Sequence, residues 1–65
     1  MRYELIGVVT PRGPLVHHGL QARGTDLAIA YAKTRMRNEG WFGVILKEPG
    51  RDDAIYVDMR PEAGG

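Results

Sequence analysis

The sequence predicts a small α+β domain with the element order ββαββ, in which one helix packs on one face of an antiparallel sheet. One stretch, residues 25–39, has helical character, and two β-rich runs lie on each side of it. Pro- and Gly-containing breaks separate these runs. The 65-residue length suits a single domain. We expect residues 1–60 to form it and residues 61–65 to be a disordered C-terminal tail.

The two strands before the helix form a predicted hairpin. Residues 3–10 are apolar on both alternating sides, which is typical of a central strand or of one covered on both faces. Residues 11–14 contain two prolines and a glycine and predict a turn. Residues 15–18, with an extension to residue 21 left open, return as the second strand.

The ends of the helix are marked by residues suited to capping. Thr25 is placed to cap the free N–H groups of the first turn, and Asp26 puts negative charge at the positive end of the helix dipole. Gly40 suits a left-handed C-terminal cap, after which Trp41 would fold back on Met36. These signals predict a helix that ends immediately before Gly40.

One broad face of the helix is predicted to be apolar. Ala28 and Ala32 lie in its middle, where their small size would let the helix approach the sheet closely. Arg35 also falls on this face, so we expect its stem to be buried and its charged head to reach water. The residues assigned to the face are Leu27, Ala28, Ile29, Tyr31, Ala32 and Met36.

The two runs after the helix, residues 41–48 and 54–59, predict an antiparallel hairpin with a loop at residues 49–53. Alternation divides their side chains between two faces. The set predicted to face the helix is Phe42, Val44, Leu46, Ile55, Val57 and Met59. The set predicted to lie on the opposite face is Trp41, Ile45 and Tyr56.

A protein interface is the first function that the pattern favours. One helix can cover only one sheet face, and a contiguous apolar patch is unusual on a monomer. We therefore predict that Trp41, Ile45 and Tyr56 contact a second copy of the chain in a homodimer, or a partner protein. The alternative is that Trp41 only closes the helix end and that the rest is ordinary surface.

A nucleic-acid-binding module is the second function considered. Arg23, Lys33, Arg35 and Arg37 are basic residues in or near the helix and could neutralise phosphates. The formal net charge is only +1, and no known nucleic-acid-binding motif matches. The alternative here is a solvated helix end without a ligand.

Catalysis, metal binding and cofactor binding find no support in the composition. The chain has neither Ser nor Cys, which removes the commonest nucleophiles and any thiolate metal site. His17 and His18 would point to opposite faces of a strand and could not share one ion. The glycine spacing fits no phosphate-binding loop. We expect no enzymatic activity, no metal and no small-molecule cofactor.

The sequence also bears on location and source. No apolar run approaches the roughly 20 residues of a membrane span, and Glu4 interrupts the short N-terminal apolar stretch. We therefore expect a cytoplasmic protein without membrane contact. Seven Arg against two Lys, with abundant Gly and Ala, indicate a GC-rich genome. An accessory or regulatory protein of an actinobacterium or its phage fits that composition.

Overall fold

Four strands and one helix form in the predicted order ββαββ, in a computed structural model that describes residues 1–61. The helix, α1, spans Thr25–Glu39 and confirms the predicted limits. The predicted tail at residues 61–65 lies outside the described residues, apart from Pro61. The strands are β1 (Arg2–Val8), β2 (Leu15–Gln21), β3 (Gly43–Lys47) and β4 (Ala54–Met59).

The four strands form one antiparallel sheet in the order β2-β1-β3-β4. β1 is central, as its two apolar sides predicted, and it pairs with β2 and β3. Ile6 of β1 therefore lies between His17 of β2 and Ile45 of β3. The pairing of β3 with β4 shifts register between Leu46 and Lys47, which marks a bulge in this outer hairpin.

The N-terminal end of α1 differs from the prediction. Gly24, in extended conformation, is the N-cap, and no side chain caps the helix, so the predicted capping role of Thr25 was wrong. The Ala28 N–H donates to the Gly24 carbonyl at 3.1 Å. The Thr25 hydroxyl lies 3.5 Å from the Tyr3 hydroxyl, so it links the first turn to β1.

The C-terminal end of α1 forms as predicted. Gly40 is left-handed, with φ of 71°. Its N–H donates to the Arg37 carbonyl at 3.3 Å, and the Trp41 N–H donates to the Met36 carbonyl at 3.0 Å. This pair of bonds is the Schellman motif, which reverses the chain and returns Trp41 toward the helix. No helix in residues 1–61 has the length and hydropathy to cross a membrane.

The core lies between α1 and the sheet. Ala28 and Ala32 are fully buried there, so the predicted centre of the helix face is confirmed. Leu27 and Tyr31 were predicted on the same face but are 58% and 49% exposed. Each lies about 100° around the helix from a buried alanine, which turns it away from the sheet. The core residues are Tyr3, Leu5, Leu20, Ala28, Ala32, Met36, Trp41, Val44 and Leu46.

Trp41 lies in this core and not on the opposite face, so its predicted placement was wrong. It is 4% exposed, and a Cβ added at Gly7 would lie 2.6 Å from its ring. The reversal at Gly40 brings the ring under the helix, and the missing side chain at Gly7 lets it lie against β1. The Arg35 guanidinium sits 5.6 Å from the ring centre, and the His18 ring stacks at 5.8 Å.

The two faces of β4 are the reverse of the predicted ones. Tyr56 packs against the core on the helix side. Val57 and Met59 pair with Ile45 and Gly43 of β3, which places them on the opposite face. β4 is an edge strand at the margin of the helix, where a long tyrosine side chain can reach the core. Ile55 lies at the bulge and Phe42 lies before β3; neither belongs to the core.

Replacement of Ala32 by Leu should lower the free energy of unfolding by about 1–3 kcal/mol, because the larger side chain overpacks the contact between α1 and the sheet. Ala30→Leu is the matched control, since Ala30 is exposed on the same helix. Urea unfolding compares the two variants with the wild type. An unchanged midpoint for Ala32→Leu would contradict the assigned helix face.

Replacement of Gly7 by Ala should also destabilise the fold by about 1–3 kcal/mol, because the new methyl group would collide with the Trp41 ring. Gly19→Ala is the control, since a Cβ there meets no atom within 4 Å on the neighbouring strand. Trp41 fluorescence during urea unfolding measures both variants. Equal midpoints for the two variants would disprove the close contact.

Candidate functional site

The sheet face opposite α1, here called the open face, has no helix or strand packed over it within residues 1–61. The register brings its apolar side chains together in adjacent rows. Ile6, Ile45 and Val57 follow one another across three strands. Val8, Gly43 and Met59 form the next row. The apolar side chains of the open face are Ile6, Val8, Leu15, Ile45, Val57 and Met59.

Exposure on the open face increases from its centre to its edges. Ile6 and Val8, on the central strand, are buried by their neighbours. Leu15 on β2 and Val57 on β4 are each 52% exposed, and Met59 is 40% exposed. The open face therefore has a packed middle, with large apolar side chains reaching solvent on both edge strands.

Met59 reaches inward over the sheet because β3 has a glycine next to it. A Cβ added at Gly43 would collide with the Met59 sulfur. Gly43 is also the register partner of Val8, so the thioether lies between the edge strand and the central strand. This arrangement extends the apolar surface without a break from β4 toward β1.

The other end of the open face is polar. The Glu4 carboxylate lies 3.0 Å from His17 Nδ1 and 3.2 Å from Lys47 Nζ, so it connects β1 to both of its neighbours. Lys47 also donates to the Arg51 carbonyl at 2.7 Å. The hydrogen bonds from His17 and then from Lys47 hold the pKa of Glu4 below its ordinary value of 4.5.

The predicted interface set is only partly on the open face. Ile45 lies there as predicted, whereas Trp41 and Tyr56 lie on the helix side. The sequence reasoning missed Leu15 and gave the apolar set of β4 the wrong face. Tyr56 and Asp58 share the helix side, and the Tyr56 hydroxyl donates to the Asp58 carboxylate at 3.1 Å. The spacing of the two residues predicts a shared face, but it does not indicate which face the helix covers.

The four predicted basic residues lie in three different places. Lys33 and Arg37 line a groove between α1 and β4. Arg35 lies over Trp41 and pairs with Glu39 at 3.5 Å. Arg23 borders a separate groove beside the exposed part of the helix. The structure adds Arg60, which the sequence reasoning missed, to the groove that holds Lys33 and Arg37.

The two histidines point to opposite faces, as predicted. His17 is on the open face with Glu4, and His18 stacks on Trp41 on the helix side. Within residues 1–61, no three His, Cys, Asp or Glu side chains are grouped so that they could hold a metal ion.

Comparison with models of protein families, with curated proteins and with solved structures found no match. The two candidate sites are the open face and the basic groove beside β4, and both are defined by the structure of this chain alone.

Stability should depend on the ionisation of Glu4. Because its pKa is lowered in the folded state, its ion pairs stabilise the fold fully above about pH 4.5, and this contribution is lost as the pH falls through the lowered pKa. Glu4→Gln should therefore lose less stability than the wild type on acidification. Urea midpoints between neutral pH and pH 3 measure the difference. Asp52→Asn, in an exposed loop, is the control, and equal slopes for all three proteins would contradict the assignment.

Proposed function

We propose that this chain is a small non-enzymatic interaction module that forms a homodimer through the open face. The observation that carries the proposal is the contiguous apolar patch that runs across all four strands. Strand spacing and rise give the face dimensions of roughly 19 by 20 Å. The apolar part of the face is smaller than this, because the end that holds Glu4, His17 and Lys47 is polar. Apolar patches of a few hundred Å² on a protein surface are often functional contacts.

The charge pattern supports a second copy as the occupant. The apolar part of the open face carries no charge, so two copies can meet there without repulsion. At the polar end, Glu4 is already matched by His17 and Lys47 in the same chain. A two-fold axis through the apolar part would place both polar ends at the rim, which is the usual arrangement of an interface.

The size of the open face sets the expected strength. Its plane area of about 400 Å² per copy, or about 800 Å² for the pair, is below the range of stable standard-size interfaces and is in the range of weak, transient contacts. We therefore expect self-association at micromolar to millimolar concentrations. A module of this kind suits a cytoplasmic accessory or regulatory protein, and the Arg-rich composition favours an actinobacterium or its phage as the source.

Light scattering over tens of micromolar to millimolar protein should show a mass that rises toward twice the 7.2 kDa of one chain. Val57→Lys should remain folded and monomeric, because it places a charge in the apolar contact. Leu27→Lys is the matched control, since Leu27 is 58% exposed but lies on the helix. It should leave the mass unchanged.

Light scattering of the wild-type protein and of the two variants can also contradict the proposed homodimer. If it stays monomeric at millimolar concentration, the homodimer is excluded. If Leu27→Lys dissociates it and Val57→Lys does not, the contact lies on the helix side and the open face is not the interface.

A further inference from the structure

We infer that the groove between the C-terminal half of α1 and β4 binds a single strand of nucleic acid through its phosphates. This α1–β4 groove has a volume of about 310 Å³. It lies on the helix side of the sheet, so it is separate from the open face and does not depend on the proposed dimer. Its lining residues are Lys33, Met36, Arg37, Tyr56, Asp58 and Arg60.

Three cations line the groove, two from α1 and one from the residue after β4. Lys33 and Arg37 are one helical turn apart, about 6 Å along the axis of α1. Arg60 follows β4, where its backbone N–H donates to the Phe42 carbonyl at 2.8 Å and fixes the chain beside β3. Within residues 1–61, none of the three cations forms an ion pair. Among the described residues, therefore, no carboxylate occupies these three cations within ion-pair distance.

The one carboxylate in the groove does not cancel these charges. Three cations and the single carboxylate of Asp58 give the groove a formal charge of +2. Asp58 accepts a hydrogen bond from the Tyr56 hydroxyl at 3.1 Å. Burial, together with this carboxylate, raises the pKa of Tyr56 above its ordinary 10.0, so the hydroxyl stays protonated at neutral pH and continues to donate.

The aromatic ring favours nucleic acid over an acidic peptide. Proteins that bind single strands combine cations for the phosphates with aromatic rings on which bases stack. Tyr56 is half-buried and lines the groove, and Lys33 Nζ lies 5.6 Å from the centre of its ring. An exposed cation–π contact of this kind is weak. A base that stacks on the ring would release the Lys33 ammonium to a neighbouring phosphate.

The guanidinium groups of the groove also favour a phosphate ligand. Two of the three cations are arginines, whose planar donors match phosphate oxygens in pairs. The groove is bounded by α1 on one side and by the edge strand β4 on the other.

Fluorescence anisotropy with a labelled oligothymidylate tests the site. Three phosphate contacts should make the logarithm of the binding constant fall with the logarithm of salt concentration with a slope of about −2. Lys33→Gln, Arg37→Gln and Arg60→Gln should each weaken binding at low salt and reduce the size of the slope by about 0.7. Arg12→Gln and Arg23→Gln are controls outside the groove and should leave the slope unchanged.

A separate variant tests the role of the Tyr56 ring. Tyr56→Leu keeps apolar bulk against the core but removes the stacking surface, and it should weaken binding about tenfold. Circular dichroism and urea unfolding verify that the variant is folded. Binding by folded Tyr56→Leu at wild-type affinity would exclude stacking and overturn the assignment to nucleic acid.

Other results would also overturn the inference. Absence of binding by the wild type at low salt removes the site, and equal losses in the Arg12 and Arg23 controls would show nonspecific charge attraction. Displacement of the oligonucleotide by an equimolar glutamate peptide of equal charge would assign the groove to an acidic protein segment. Tighter binding of a duplex of the same length would exclude preference for a single strand.

Discussion

The contact of the Trp41 ring with the backbone of Gly7 is the constraint on which the rest of the structure depends. The ring is delivered by the left-handed turn at Gly40, which follows the last residue of α1. The chain then enters β3 at Gly43, beside the strand that carries Gly7. One side chain thus joins the helix end to the central strand. Because α1 is fixed in this way, the buried alanines face the sheet and the opposite sheet face has no cover from the helix.

The arrangement separates two surfaces of different character. The open face is apolar except at its polar end, where the Glu4 carboxylate is held by His17 and Lys47. The groove beside β4 is cationic, and its charges come from α1 and from the residue after β4. An apolar face is suited to contact with another protein surface that depends little on salt, whereas exposed cations are suited to binding that weakens as salt rises. The two surfaces can therefore act at the same time without competing for the same residues.

The sequence was sufficient for features set by local rules. The helix ends before Gly40 because of its capping turn, and β1 is central because both of its sides are apolar. The position of Trp41 could not be predicted from the sequence, because its partner Gly7 is distant in the chain. The contact is recognisable only once β1 and β3 are paired. The prediction reversed the two faces of β4 because the more apolar set of its side chains, which includes Val57 and Met59, lies on the open face and not against the helix. Likewise, Arg60 joins Lys33 and Arg37 only through the pairing of β4 with β3.

Gly43 has a chemical consequence through the methionine that lies across it. The Met59 sulfur is placed over the sheet, and the side chain is 40% exposed. Oxidation of this thioether would create a polar, chiral sulfoxide within the apolar part of the open face, and methionine sulfoxide reductases reverse that reaction. The hydrophobicity of the open face would then depend on the oxidants around the protein, with one sulfur atom as the point of control.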